Sequence, residues 1–89
     1  MNEVVLLTQA DCAWCAQAKA ALGRLSGEQI DGFREVDLAS DDGCRLAERH
    51  RVLFAPGVIV NDRLVAYGRI SERALRRRLG RLLSPTAPS

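Results

Sequence analysis

The sequence predicts an α/β protein with one four-stranded mixed sheet flanked by three helices, in the order β-α-β-α-β-β-α. Three observations predict it: a continuous apolar run near the N-terminus, helical spacing of apolar residues in the segments that separate β-like runs, and a two-residue turn between the last two runs. With 89 residues, 47% of them apolar and 27% charged, the chain has the composition of one globular domain. We expect that domain to span residues 1–83 and residues 84–89 to form a disordered tail.

The first strand and the first helix are predicted within residues 4–25. Val4-Val5-Leu6-Leu7 is a short apolar run, typical of a strand buried on both faces. From Cys12 to about Leu25 the apolar residues recur every three or four positions, which indicates a helix. Asp11 is the expected N-cap of this helix.

The middle of the chain predicts a second strand and a second helix. Residues 33–38 form the strand, which the βαβ pattern makes parallel to the first. Ser40 is placed to cap the helix, and the two aspartates that follow it suit the positive end of the helix dipole. Leu46, Ala47 and His50 share the inner face of this helix.

The last third predicts a hairpin and a third helix. Residues 58–60 and 64–67 form antiparallel strands joined by the turn Asn61-Asp62, and Gly68 ends the second of them. Ser71 is placed to cap the helix. The outer face of this helix carries several arginines, but the net charge of +2 is too small to predict nucleic-acid binding.

The chemistry of the chain is expected at Cys12-Ala13-Trp14-Cys15, where a buried strand becomes a helix. Two cysteines at this spacing bring their sulfurs together within one turn, and the helix N-terminus favours a thiolate at Cys12. Cys12 would attack a substrate disulfide, and the more sheltered Cys15 would resolve the mixed disulfide. The alternatives are two cysteines packed as small apolar groups and a metal site. The metal site would need more ligands than Cys44 and His50 provide, so we expect none.

These features resemble the glutaredoxins and other small thioredoxin-like proteins, from Val4 to about Leu83. The matching residues are Thr8, the segment 12–15, Val36-Asp37 and the segment 55–62. The resemblance implies a thioredoxin fold of glutaredoxin-like type.

The resemblance also implies a substrate groove. Pro56 takes the place of a proline that is cis in this family and lies against the active cysteines, so the backbone of Ala55 would pair with an extended substrate chain. Substrate contacts would come from Trp14, Ala55, Pro56, Tyr67 and Gly68. Trp14 either lies exposed on the rim or folds down onto the helix or onto Tyr67.

The sequence departs from the family pattern at several of these positions. Gln9 stands where a lysine that helps bind glutathione is common, and Ala55 replaces a valine or threonine. Asp11 adds a negative charge beside Cys12. Arg51 and Arg69 remain as cations that could hold a carboxylate. These departures weaken the expected recognition of glutathione more than disulfide exchange.

The resemblance implies a thiol–disulfide oxidoreductase that takes part in electron transport and cell redox homeostasis. It would contain no built-in cofactor, with glutathione as a candidate co-substrate. Its partners would be a disulfide-containing protein or a glutathione mixed disulfide, and a thiol reductant or reductase. Two other functions stay open: a glutathione-dependent [2Fe-2S] carrier and a redox-inert binding module. We expect a monomer that binds no membrane. The N-terminal residues show no signal peptide and the cysteine count is odd, so we expect a cytoplasmic protein.

Overall fold

The computed structural model describes residues 3–82, so the predicted tail over residues 84–89 lies outside the described part of the chain. The elements follow the predicted order. The strands and helices are β1 (Val4–Thr8), α1 (Ala13–Leu25), β2 (Arg34–Asp37), α2 (Asp41–His50), β3 (Gly57–Val60), β4 (Arg63–Tyr67) and α3 (Glu72–Leu82). None of these helices is long and apolar enough to span a bilayer.

The four strands form one mixed sheet in the order β2-β1-β3-β4. β1 runs parallel to β2, and β3 runs antiparallel to β4, as predicted. β1 also runs antiparallel to β3, a pairing that was not predicted from the sequence. The register aligns five residues at one end of the sheet: Thr8 pairs with Asp37, while Gly57 pairs with both Leu7 and Tyr67. The carboxyl ends of β1, β2 and β4 and the start of β3 therefore lie in one row, which we call the Thr8 end of the sheet.

The core forms two clusters, one on each face of the sheet, because successive side chains of a strand point to opposite faces. The first cluster packs α1 and α3 against one face, and the second packs α2 against the other. The first contains Val4, Leu6, Ala18, Ala21, Leu22, Leu25, Ile30, Val58, Val60, Ala66, Leu75 and Leu79. The second contains Val5, Leu7, Val36, Val52 and Ile59, with Leu46 and Ala47 packed against it. The continuous apolar run at β1 is thus explained by burial on both faces.

The helix caps agree with the prediction at two of three positions. The hydroxyl of Ser40 accepts the Gly43 N–H at 3.0 Å, and the hydroxyl of Ser71 accepts the Ala74 N–H at 3.1 Å. The prediction for Asp11 was wrong, because Cys12 is the N-cap of α1 and Asp11 lies one residue earlier with a φ of 54°. Aspartate is one of the few residues that adopt this left-handed conformation readily, which lets the chain turn into the helix.

The hairpin has the predicted turn and one irregularity. Asn61 and Asp62 have φ values of 50° and 66°, as a two-residue type I′ turn requires. The register shifts between Val58 and Ile59, which leaves Val65 without a partner on β3. The guanidinium of Arg78 donates to the Val65 carbonyl at 3.1 Å, so one carbonyl group of this edge strand is satisfied from α3.

Candidate active site

The two cysteines of the 12–15 segment lie at the N-terminus of α1 and form a disulfide with a Cα–Cα distance of 5.2 Å. Cys12 is partly exposed, whereas the Cys15 side chain lies on the inner face of α1 and the residue is 5% exposed. Because Cys12 is the N-cap, its Sγ accepts the Cys15 N–H at 3.1 Å. The pair thus contains one accessible and one sheltered sulfur, as the helical pattern predicts.

A cavity of about 310 Å³ lies beside Cys12. Its lining residues come from the end of β1, the start of α1 and the segment before β3. They are Gln9, Asp11, Cys12, Ala13, Trp14, Phe54 and Ala55. Cys12, Trp14 and Ala55 were predicted here, whereas Pro56, Tyr67 and Gly68 are not among the lining residues.

The strand register explains why Ala55 meets Gln9. Leu7 pairs with Gly57 in an antiparallel ladder, so two residues further on Gln9 lies opposite Ala55. The Ala55 N–H donates to Oε1 of Gln9 at 3.2 Å, and the Ala55–Pro56 peptide bond is cis. The backbone group expected to pair with a substrate is therefore occupied by a side chain of the protein itself.

Tyr67 and Gly68 support the segment before β3 from the adjacent strand. The ring of Tyr67 stacks on that of Phe54 with centroids 4.8 Å apart, and its hydroxyl accepts the Leu53 N–H at 2.7 Å. The Gly68 N–H donates to the Pro56 carbonyl at 2.8 Å. A Cβ at Gly68, whose φ is 77°, would lie 3.3 Å from the Phe54 ring, so a larger residue would press on this support.

The rim of the cavity carries exposed apolar side chains and one cation. Trp14 is 44% exposed, Phe54 48% and Leu53 85%. Of the two predicted placements of Trp14, the structure has the exposed one, while Phe54 takes the contact with Tyr67. The guanidinium of Arg69 lies 6.0 Å from the centre of the Trp14 ring, a distance at which a cation is attracted to an aromatic face.

A second cavity, of about 360 Å³, lies on the other side of Gln9. It is lined by Gln9, Ala10, Asp37, Leu38 and Ala39, at the carboxyl ends of the parallel strands β1 and β2. The Thr8 carbonyl accepts the Leu38 N–H at 2.7 Å, which extends the ladder beyond the strands and holds the two loops together. Ligands of open α/β sheets commonly bind at such strand ends.

The other residues considered from the sequence lie away from the Cys12 cavity. Cys44 is an exposed free thiol on α2. His50 lies on the inner side of α2, with Nε2 3.2 Å from Oδ1 of Asp62 in the hairpin turn. Arg51 is the C-cap of α2 and does not line the cavity. Within residues 3–82 no three His, Cys, Asp or Glu side chains converge to hold a metal ion.

Sequence reasoning missed Phe54 as a lining residue and Gln9 as the partner of Ala55. The place of Gln9 follows from the antiparallel pairing of β1 with β3, in which Leu7 lies opposite Gly57 and Gln9 therefore lies opposite Ala55. That pairing was not predicted from the sequence. Phe54 carries no local signal, since its place depends on the ring of Tyr67 on the adjacent strand β4.

The comparison with known proteins supports the fold. No protein-family model matches the chain. No curated protein matches it at a significant level. Among solved structures, the solution structure of an uncharacterized thioredoxin-like protein from Clostridium perfringens matches with a TM-score of 0.73 and 15% identity, over 94% of this chain and 71% of that chain.

Two crystal structures match as well. A thioredoxin-like protein matches with a TM-score of 0.62 and 21% identity, over 84% of this chain and 97% of the other. Glutaredoxin 1 from Francisella tularensis, complexed with cacodylate, matches with a TM-score of 0.55 and 15% identity, over 93% and 98%. Identities this low show the fold alone.

Proposed function

Starting from a chain that has the thioredoxin fold, we propose that it is a thiol–disulfide oxidoreductase in which Cys12 attacks and Cys15 resolves. The observation that carries this proposal is the placement of the two sulfurs. Cys12 opens onto a cavity at the N-terminus of α1, and Cys15 is buried behind it at bonding distance. A pair packed only as small apolar groups would not need one sulfur in a cavity.

The N-terminus of α1 supports the attacking sulfur. In the reduced protein a Cys12 thiolate would keep the Cys15 N–H as a donor and would lie at the positive end of the helix dipole. Asp11 opposes this effect, because its carboxylate lies one residue before Cys12. The thiolate is the nucleophile in disulfide exchange, so the helix N-terminus contributes to reactivity.

The reaction proceeds in two exchanges. The Cys12 thiolate attacks one sulfur of the substrate disulfide, which forms a mixed disulfide and releases the other substrate sulfur as a thiolate that takes up a proton. The Cys15 thiolate then attacks Sγ of Cys12, which forms the Cys12–Cys15 disulfide and releases the second substrate thiol. The substrate gains two electrons and two protons, and the protein dithiol loses them.

The groove around Ala55 supports an extended substrate chain. A substrate carbonyl would take the Ala55 N–H from Gln9, while the exposed side chains of Trp14 and Phe54 would pack against the substrate. A thiol reductant, either glutathione or a dithiol protein, would return the disulfide to the dithiol. The exposed free thiol of Cys44 is consistent with a reducing compartment such as the cytoplasm.

The proposal is tested by a redox titration of the purified protein in glutathione and dithiothreitol buffers, with alkylation and peptide mass analysis. We expect Cys12 and Cys15 to interconvert as a pair, at a potential within the range of roughly −180 to −270 mV spanned by known carriers. Cys15→Ser should accumulate the mixed disulfide at Cys12, and Cys12→Ser should abolish disulfide reduction.

Cys44→Ser is the matched control, because it removes a thiol that lies outside the Cys12 cavity. It should leave both the potential and the rate unchanged. If no Cys12–Cys15 disulfide forms in either buffer, the oxidoreductase proposal is wrong. Brown colour after anaerobic purification would then point to a cluster carrier, and colourless protein to a redox-inert binding module.

A further inference from the structure

We propose that the second cavity is a subsite for a lysine or arginine side chain that flanks the cysteine of an extended disulfide peptide. This inference rests on the proposed function and specifies its substrate class. It assigns a role to a cavity that is lined by neither Cys12 nor Cys15. It also predicts that a basic peptide is a better substrate than glutathione.

The two cavities form one continuous row at the Thr8 end of the sheet. Gln9 lines both of them, so a chain that passes Cys12 and Ala55 reaches the second cavity by crossing a single side chain. The row follows the strand order, from Asp37 at the end of β2 through Thr8 to the start of β3. Neighbouring strands lie about 4.8 Å apart and an extended chain advances about 3.3 Å per residue, so adjacent strand ends are one to two substrate residues apart.

The lining of the second cavity fits an amphipathic cation. Ala10, Leu38 and Ala39 supply apolar surface, and Asp37 supplies a charged group. Lysine and arginine place an alkyl stem on apolar surface and keep the charge at the tip. The subsite would bury the stem and leave the tip beside the carboxylate.

The carboxylate of Asp37 is available for this contact. Its Oδ1 accepts the Ala39 N–H at 2.8 Å, which fixes the side chain toward the loop. No lysine, arginine or histidine among the described residues forms an ion pair with Asp37, although eight such pairs occur elsewhere in residues 3–82. An incoming cation would therefore meet an exposed negative charge without displacing a partner.

The charges on the two sides of Cys12 have opposite signs. Within residues 3–82, Asp11 and Asp37 are the only charged residues that line either cavity, whereas Arg69 lies at the β4 end beside Trp14. Glutathione has a net negative charge, because it carries a carboxylate at each end and a single ammonium, at the γ-glutamyl end. Its glycyl carboxylate has no cation beside it and would be repelled where it faces Asp37 or Asp11. A peptide with a cation on the β2 side avoids this repulsion and gains an attraction that is screened by salt.

The test measures the attack of Cys12 on matched peptides. The protein carries Cys15→Ser, so that the mixed disulfide persists, and Cys44→Ser, so that no other thiol reacts. Each peptide is blocked at both ends and has one cysteine activated as its thionitrobenzoate disulfide. One lysine or one glutamate stands two residues before or two residues after that cysteine. The release of the yellow thiol gives a second-order rate constant for each peptide.

We expect lysine to react about two- to tenfold faster than glutamate at one of the two positions, the range set by one or two exposed charge pairs. Asp37→Asn keeps the acceptor for the Ala39 N–H and removes the charge, so it should reduce the ratio at least twofold. Asp31→Asn is the matched control, because it removes an exposed charge before the opposite end of β2. It should leave the ratio unchanged, and 0.5 M sodium chloride should bring the ratio close to one.

Equal rates for lysine and glutamate at both positions would overturn the inference, as would a ratio that survives Asp37→Asn. A faster reaction with the activated disulfide of glutathione than with either lysine peptide would overturn it too. These outcomes leave the proposed function intact, since Cys12 still reacts. If Cys12 releases no thiol from any peptide, nor from the small disulfide dithiobis-nitrobenzoate, the proposed function itself is wrong and the inference falls with it.

Discussion

Gly43→Ala should destabilise the protein although alanine is the better helix former. Gly43 is buried in the first turn of α2, where the helix crosses the backbone at the end of β2. A Cβ at this position would lie against the carbonyl oxygen of Asp37, 2.8 Å from its carbonyl carbon and 3.0 Å from Cα of Leu38. Carbon atoms pack best at about 3.5–4.0 Å, so helix and strand end would have to separate by about 1 Å.

The magnitude follows from two opposing effects. Alanine gains up to about 1 kcal/mol over glycine from helix propensity and from the less flexible unfolded chain. Overpacking against backbone atoms costs about 1–3 kcal/mol and occasionally more, because backbone cannot rotate away as a side chain can. The contact involves three backbone atoms, so we take the upper part of that range. We expect a net loss of about 1–2 kcal/mol, which lowers the melting temperature by about 4–16 °C in a domain of this size.

The assay is thermal and urea unfolding followed by circular dichroism, with Gly23→Ala as the matched control. Gly23 also lies within a helix, and a Cβ there would meet no atom within 4 Å. Gly23→Ala should raise the melting temperature, since alanine has the same advantage in helix propensity there and its Cβ overlaps no other atom. If Gly43→Ala melts at or above the temperature of the unchanged protein, the close approach of α2 to the Asp37 carbonyl is wrong.

Two further variants test the groove. Gln9→Ala removes the side chain that accepts the Ala55 N–H and competes with substrate for it. We expect KM for an extended peptide disulfide to fall about two- to tenfold at constant kcat, because one competing hydrogen bond is lost. A higher KM would show that Gln9 binds substrate instead. Tyr67→Phe removes the hydroxyl that accepts the Leu53 N–H. We expect faster hydrogen exchange at the Leu53 amide and a free energy of unfolding lower by about 1 kcal/mol. Unchanged exchange would contradict the support assigned to Tyr67.

Much of the fold was predictable because its signals are local. The apolar run at β1, the serine caps of α2 and α3 and the Asn61-Asp62 turn depend on residues within a few positions of each other. The cap of α1 was predicted one residue too early. Both Asp11 and Cys12 offer a side-chain acceptor, and the choice between them depends on which residue turns left-handed as the chain leaves the sheet.

The candidate site was predictable only in part. Cys12 and Cys15 follow from their spacing on one helix, and Ala55 and Pro56 follow from the resemblance. The prediction that substrate contacts Tyr67 and Gly68 directly stays a prediction, and the structure assigns these residues contacts with Phe54 and Pro56.

The sequence by itself determined the order of elements, the two faces of the sheet and the position of the Cys12–Cys15 pair, because periodicity, capping and Cys-x-x-Cys spacing act over a few residues. Only the tertiary structure decided that Gln9 occupies the Ala55 N–H and that Asp37 borders a cavity next to the groove. These contacts join residues far apart in the chain, and they depend on the register of β1 with β2 and β3. Register is set by the packing of both faces of the sheet at once, so no short segment encodes it.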